Sequence, residues 1–233
     1  MPKIVINSNP RTGISRLLEF VRIAYNRTNK KDYGEYSNRK DFVIWTHVPV
    51  MLLSNFDDIL QITIVRNPDD VIASICNKLD SGVGLDVHDN QIAYHNPNLN
   101  LFKDRSEYIS HTVNSASLEY LSYLENIKNN FDNLLVFSFE QITQDIDLVI
   151  DKIAQYFNEE YKSFTKEETL KITDIVHEKW KKEEHKLFLL SNRGPIQTKS
   201  KSYYEFKKCF IDTEIRNQLY KSYNEILKQI KNL

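Results

Sequence analysis

Apolar positions along the chain fall into short runs that alternate with stripes of helical spacing. Residues 3–7 (KIVIN) are rich in β-branched side chains and predict a buried strand. After a polar turn, a stripe at i, i+3, i+4 and i+7 follows, formed by Ile14, Leu17, Leu18 and Val21. That spacing predicts one buried face of a helix. The chain therefore begins with a strand–turn–helix unit.

The same alternation continues to the end of the chain. Further strands are predicted at 42–45, 60–65 and 134–139, and helices from 68, over 106–131, 146–157 and 166–184, and at the end around 215–230. Residues 81–105 lack periodicity and predict a long loop, a kind of segment that is usually functional or disordered. Alternating strands and helices favour an α/β fold: a three-layer sandwich with a central parallel sheet of about four to five strands flanked by helices.

The composition of the chain indicates how many domains it forms, which partners its charge does not favour, and the redox state of its cysteines. The 233 residues suit one domain spanning 1–233. With 31 Lys+Arg against 32 Asp+Glu, the net charge of −1 argues against a nucleic-acid or membrane partner, so an anion site must be built locally. Cys76 and Cys209 are isolated and predict reduced thiols in a cytoplasmic, soluble protein. No segment resembles a leader or a membrane span, and no metal-ligand cluster stands out.

The first candidate site is the turn between the first strand and helix, residues 10–16 (PRTGISR). A helix start offers unpaired N–H groups and the positive end of the helix dipole. Gly13 lets the backbone curl around phosphate oxygens, and Arg11, Thr12, Ser15 and Arg16 add donors. An alternative is a capped helix start with two surface arginines. The turn lacks the GxxxxGK[ST] pattern, which disfavours an ordinary P-loop nucleoside triphosphatase.

The second candidate is the segment Arg66–Ser74 (RNPDDVIAS), which follows the third strand. In an open parallel sheet, ligands bind beyond the carboxyl ends of the strands, so Arg66 would lie at the same edge as the turn at 10–16. Taken alone, Arg66 could instead pair with Asp69 or Asp70.

Together, the two segments resemble the motifs of the PAPS-dependent sulfotransferase family. Residues 10–15, including Ile14, are similar to that family's 5′-phosphosulfate loop, P-[KR]-[ST]-G-T-[ST]. Residues 66–74 match every fixed position of its 3′-phosphate motif, R-[ND]-P-x-D-x-x-x-S. The resemblance implies a P-loop-like sulfotransferase fold. It also implies a nucleotide-binding transferase that uses 3′-phosphoadenosine 5′-phosphosulfate (PAPS) as donor and releases 3′-phosphoadenosine 5′-phosphate (PAP).

A further resemblance lies at the end of the second predicted strand. There the residues Trp45-Thr46-His47-Val48-Pro49 are similar to the family's K-T-H-[LV]-P segment. The resemblance implies that His47 is the general base, a role that suits a side chain titrating near neutrality. Trp45 replaces the family's lysine. A hydrogen-bonded structural histidine is the alternative, in which case His95 or His111 could act as the base.

Two weaker similarities extend the implied donor site. Residues 136–142 (VFSFEQI) resemble the segment ending Y-E-[DN]-[LI], so Phe139 would stand where relatives hold a tyrosine near adenine; an ordinary buried aromatic is the alternative. Arg193-Gly194 resembles a degenerate R-K-G element over the 3′-phosphate, and Lys199 or Lys201 could replace its missing lysine.

The resemblance thus implies a sulfotransferase with His47 and Arg11 as catalytic residues. The acceptor would be a hydroxyl or amine of a small molecule or glycan that attacks sulfur in line with the leaving oxygen. Residues 81–131 would form the acceptor side, and 191–233 the loop and helix closing over the donor. Two other functions stay open: a P-loop-type small-molecule kinase, and a nucleotide-binding module without catalysis.

Overall fold

The predicted strands assemble into one parallel sheet. The computed structural model describes residues 3–9, 12–28, 43–46, 59–81, 105–158, 161–191 and 211–231. Its strands are β1 (Lys3–Asn7), β2 (Val43–Thr46), β3 (Ile59–Val65) and β4 (Leu135–Ser138). They lie in the order β2-β1-β3-β4, and every pair is parallel. The predicted sheet is confirmed with four strands in the described part of the chain.

Seven helices are described, together with a short 3₁₀ turn at Phe131–Asn133. They are α1 (Ile14–Thr28), α2 (Pro68–Ser81), α3 (Arg105–Asn129), α4 (Phe139–Gln144), α5 (Ile146–Tyr156), α6 (Lys166–Ser191) and α7 (Thr213–Lys231). The helices predicted from periodicity are all present. The loop predicted over 81–105 falls almost wholly outside the described residues. Among the described helices, none has the length and apolarity needed to cross a membrane.

The helices cover both faces of the sheet, because each buried strand presents apolar side chains on alternate sides. One core joins the sheet to α1, α5 and α6, and includes Ile4, Ile6, Leu17, Phe20, Ile62, Ile64, Ile150 and Ile172. The other joins it to α2, α3 and α7, and includes Val65, Ile72, Tyr120, Leu124, Val136, Leu219 and Ile226. The predicted three-layer sandwich is therefore confirmed.

The end of β4 differs from the prediction by one residue, and the difference matters for the site. The strand was predicted to include Phe139, but it ends at Ser138. A capping box ends it: the Gln141 amide donates to Ser138 Oγ at 3.1 Å, and the Ser138 amide donates to Gln141 Oε1 at 2.8 Å. Phe139 is consequently the first residue of α4, at the carboxyl edge of the sheet.

Both candidate motifs follow neighbouring strands. β1 lies between β2 and β3, so the strand order reverses at β1 and creates a topological switch point there. Val65 pairs with Ser138 in the last register position of β3 and β4, and Asn7 pairs with Thr46 at the ends of β1 and β2. The segments after Asn7, Val65 and Ser138 therefore meet at one edge, where open α/β sheets bind ligands.

Candidate functional site

The turn after β1 is closed on itself by short-range hydrogen bonds. The hydroxyls of Ser8 and Thr12 contact each other, and Thr12 Oγ1 donates to the Asn9 carbonyl oxygen at 2.7 Å. Both hydroxyl side chains are fully buried. Thr12, predicted to contact an anion, thus shapes the turn through its side chain.

Gly13 immediately precedes α1 and has a backbone conformation that other residues rarely adopt. Its φ is +102°, in the region that favours glycine. The amides of Arg16 and Leu17 donate to its carbonyl oxygen at 3.1 and 3.3 Å. The N–H groups of Ile14 and Ser15 therefore precede the first hydrogen bonds of α1, in the position where a helix N-terminus receives an anion.

Arg66 leaves the end of β3 and reaches across the edge of the sheet. Its guanidinium carbon lies 4.1 Å from the centroid of the Phe139 ring, a cation–π contact. Its Nη2 also lies 3.8 Å from a carboxylate oxygen of Asp70, whose side chain is 57% exposed. An exposed pair at that distance contributes little, so a doubly charged phosphate could compete well for this guanidinium.

Phe139 links the two motif segments. A Cβ atom placed on Gly13 would lie 2.9 Å from Cδ2 of the Phe139 ring, so the ring packs directly against the turn as well as against Arg66. Sequence similarity predicted this residue beside adenine. The structure describes its contacts with the turn at Gly13 and with the guanidinium of Arg66. The two motif segments therefore lie on either side of one aromatic ring.

Two buried tyrosines of α3 hold the strand ends beneath the site. The Tyr120 hydroxyl donates to the Arg66 carbonyl oxygen at 2.6 Å and accepts from the Arg66 amide at 3.0 Å. The Tyr123 hydroxyl contacts Thr63 Oγ1 and donates to the Ile64 carbonyl oxygen at 3.2 Å. Burial raises the pKa of both tyrosines. Sequence reasoning missed these residues; the available signal was a pair of tyrosines on an apolar helix face, where buried hydroxyls must find partners.

The first turn of α2 is fastened to α7. Arg216 Nη2 lies 2.8 Å from a carboxylate oxygen of Asp69, which is 4% exposed. That hydrogen bond raises the pKa of Arg216. The Tyr220 hydroxyl lies 3.4 Å from Asn67 Oδ1, which accepts from the Asp69 amide at 3.0 Å. Of the two acidic residues considered as partners for Arg66, Asp70 lies beside it and Asp69 pairs with Arg216.

Arg16 contacts other elements of the protein through two of its nitrogens. Its Nε donates to the Ile142 carbonyl oxygen at 3.1 Å, and its Nη1 donates to Thr173 Oγ1 at 2.9 Å. Burial lowers the pKa of its guanidinium. These bonds join α1 to α4 and α6, and donor binding by Arg16 stays a prediction.

The remaining predicted site residues divide into two groups. Ser74 lies partly buried on α2, two turns beyond Arg66. Arg11, His47, Arg193 and Gly194 lie outside the described residues, as does the side chain of Trp45.

Two buried asparagines adjoin the turn: neither polar atom of the Asn7 side chain, nor Asn9 Oδ1, has a hydrogen-bond partner within the described part of the chain.

The described residues fit a bis-anionic ligand with phosphate-type groups. A helix start with leading amides, the hydroxyl of Ser15 and the guanidinium of Arg66 supply donors suited to such groups. Within the described ranges no cluster of three or more His, Cys, Asp or Glu side chains could hold a metal ion.

Comparisons with known proteins give a family match over most of the chain. The family model described as "Sulfotransferase domain" matches residues 37–231. That range includes β2 to β4 and the Arg66 segment, but not the turn at 10–16. A search of curated proteins gave no significant match.

Among solved structures, a complex of retinol dehydratase with androsterone and the inactive cofactor PAP is similar to this chain. The two share 14% sequence identity with a TM-score of 0.52, over 97% of this chain and 80% of that one. A sulfotransferase domain from the curacin biosynthetic pathway shares 14% identity with a TM-score of 0.43, over 99% and 98% of the two chains. The first of these likenesses supports the predicted fold. Because the family model covers most of the sequence, the chain belongs to the sulfotransferase domain family, the group of PAPS-dependent transferases that its motifs predicted.

Proposed function

We propose that this protein transfers the sulfuryl group of PAPS to a hydroxyl or amine of a small-molecule or glycan acceptor. The observation that carries the proposal is the contact of one side chain, Phe139, with both Gly13 and Arg66. The two residues belong to separate motifs, and the fold unites them at the carboxyl edge of the sheet.

The donor would be held by residues on two sides of Phe139. On one side, the turn with Arg11, Thr12, Gly13, Ile14 and Ser15 would receive the 5′-phosphosulfate through backbone amides and hydroxyls. Since this turn is folded onto its own hydroxyls, its amides need little reorganisation to bind an anion.

On the other side, Arg66 and Ser74 would bind the 3′-phosphate. Arg66 is prepared for this role because its guanidinium lies over an aromatic ring and its side chain is 24% exposed. Arg193 and Gly194 would close over the same phosphate, as the sequence similarity implies. Arg16 would contribute mainly by holding α1 in place.

Bound PAPS supplies an activated sulfuryl group on a leaving phosphate oxygen. His47 would take the proton from the acceptor as it attacks sulfur in line. The amides near Gly13 and the side chain of Arg11 would stabilise the negative charge that develops on the oxygens. These roles need no metal ligand.

The chain would work as a single domain over 1–233. Residues 81–131, which include α3, would form the acceptor side, and 191–233, which include α7, would close the donor side. The bonds between α7 and the first turn of α2 support this division, because they join the terminal helix to the motif that carries Arg66.

The test is release of PAP from PAPS in the presence of a panel of phenols, alcohols, amines and sugars. We expect turnover by the wild type and a loss of about 10²–10⁴-fold in His47→Ala, the range for removal of a general base. His177→Ala is the control, because His177 is exposed on α6 and has no proposed role. Equal activity of His47→Ala and wild type would contradict the proposed base. Donor binding without turnover on any acceptor would favour a recognition module.

A further inference from the structure

Arg66 stands where the hydrogen bonding of the sheet stops. The last paired position of β3 is Val65, opposite Ser138. One residue later β4 has turned into α4, so the ladder with β4 does not extend to the Arg66 peptide groups. Buried backbone groups at such a position need other partners.

The hydroxyl of Tyr120 provides both partners. It donates to the Arg66 carbonyl oxygen at 2.6 Å and accepts from the Arg66 amide at 3.0 Å. A single side-chain group on α3 thus replaces a neighbouring strand for one residue. The two residues are 54 positions apart in sequence, so the contact exists only in the folded chain.

The surroundings of Tyr120 leave its ring little freedom. The side chain is 0% exposed and stacks on Tyr123 with ring centroids 5.9 Å apart and planes inclined by 19°. Burial raises its pKa well above the ordinary value, so the hydroxyl keeps the proton that it donates. The position of the Arg66 backbone is therefore fixed by the position of α3.

We propose that Tyr120 is a positioning residue for the 3′-phosphate of the donor: its hydroxyl fixes the Arg66 peptide and thereby aims the Arg66 guanidinium. The inference rests on the proposed function, in which Arg66 binds that phosphate. Its consequence is selective, because the hydroxyl affects only ligands that carry a 3′-phosphate.

The test compares two ligands, PAP and adenosine 5′-monophosphate, which lacks the 3′-phosphate. Their dissociation constants are measured by calorimetry on the full chain for the wild type, Tyr120→Phe, Tyr123→Phe and Arg66→Ala. Tyr123→Phe is the matched control, because it removes a buried hydroxyl one turn further along α3 that bonds to Thr63 and Ile64 instead.

We expect Tyr120→Phe to reduce the ratio of the dissociation constants of the monophosphate and PAP by about tenfold. This is the fold-change that corresponds to the loss of roughly one or two hydrogen bonds. Binding of the monophosphate should change less than about twofold, and Tyr123→Phe should keep the wild-type preference. Both ligands bind the same folded fraction, so partial unfolding of a variant does not alter the ratio.

Two results would contradict the inference, and they have different consequences for the proposed function. If Arg66→Ala abolishes the preference while Tyr120→Phe retains it, Tyr120 has no positioning role and the proposed function stands. If Arg66→Ala itself retains the preference, Arg66 does not bind the 3′-phosphate and the proposed function fails with the inference.

Discussion

Gly13 is held by two independent constraints. Its φ of +102° is strained for any residue with a side chain, and a Cβ atom would lie 2.9 Å from the Phe139 ring. Both constraints arise because the chain turns sharply from β1 into α1 while Phe139 packs against the turn.

We therefore expect Gly13→Ala to lower the free energy of unfolding by about 1–3 kcal/mol, the cost of a residue held in such backbone conformations. Urea unfolding measures the change, and Ser15→Ala in the same helical turn is the control, with an expected effect below about 1 kcal/mol. A double-mutant cycle with Phe139→Ala separates the steric contact from the backbone strain. In the Phe139→Ala background, Gly13→Ala should lower the free energy of unfolding by less, because only the backbone strain remains. Equal stability of Gly13→Ala and the control would contradict the assigned conformation.

The roles of single residues were only partly predictable from sequence. Gly13 and Arg66 were singled out because short motifs specify them, and their roles in donor binding stay predictions. Tyr120 was not, since a buried aromatic at helical spacing gives no sign of which backbone its hydroxyl meets 54 residues away. Phe139 was placed at the site, but its position at a helix start depends on a capping box that the strand pattern concealed.

At the scale of elements, an ion pair joins α7 to the segment Arg66–Ser74. Arg216 lies on α7 with its side chain 43% exposed, and Asp69 on α2 with its side chain 5% exposed. The pair spans 147 residues. Asp69 stands at the first variable position of the 3′-phosphate motif, so the motif could not predict this ion pair.

We expect Arg216→Ala to lower the free energy of unfolding by about 1–2 kcal/mol, because a buried carboxylate loses a charged hydrogen-bond partner. The figure is kept modest because Arg216 is partly solvated. Urea unfolding again provides the measurement. Lys221→Ala, an exposed position on the same helix, should change stability by less than about 0.5 kcal/mol.

A second substitution identifies the cause. In the Arg216→Ala background, Asp69→Asn removes the buried charge and should recover part of the lost stability, a coupling that a double-mutant cycle measures. Additive losses from the two substitutions would contradict the ion pair as the link between α7 and α2.

The elements themselves were largely predictable, for a physical reason. Each βα unit buries apolar side chains at local spacing, so β1, α1, β3 and α2 follow from nearby residues. The links between elements were not predictable, because bonds such as Arg16 to Thr173 join positions 157 residues apart. Which helix supports which strand end is decided by packing in three dimensions.

At the scale of the whole molecule, the fold explains how a nearly neutral protein can bind a highly charged donor. The net charge is −1, so long-range attraction contributes little. Instead, the sheet order brings a helix start and an arginine to one edge, and an aromatic ring joins them. We therefore expect the free energy of donor binding to come from a few local groups.

The most direct measurement of this account is a calorimetric titration of PAP against the wild type and Arg66→Ala, with ATP–magnesium as the competing ligand. Arg22→Ala is the matched control, because Arg22 pairs with Glu19 within α1. We predict micromolar binding of PAP to the wild type and to Arg22→Ala, a loss of at least about tenfold in Arg66→Ala, and much weaker binding of ATP–magnesium. No binding of PAP, equal binding by Arg66→Ala, or a preference for ATP–magnesium would contradict the donor site described here.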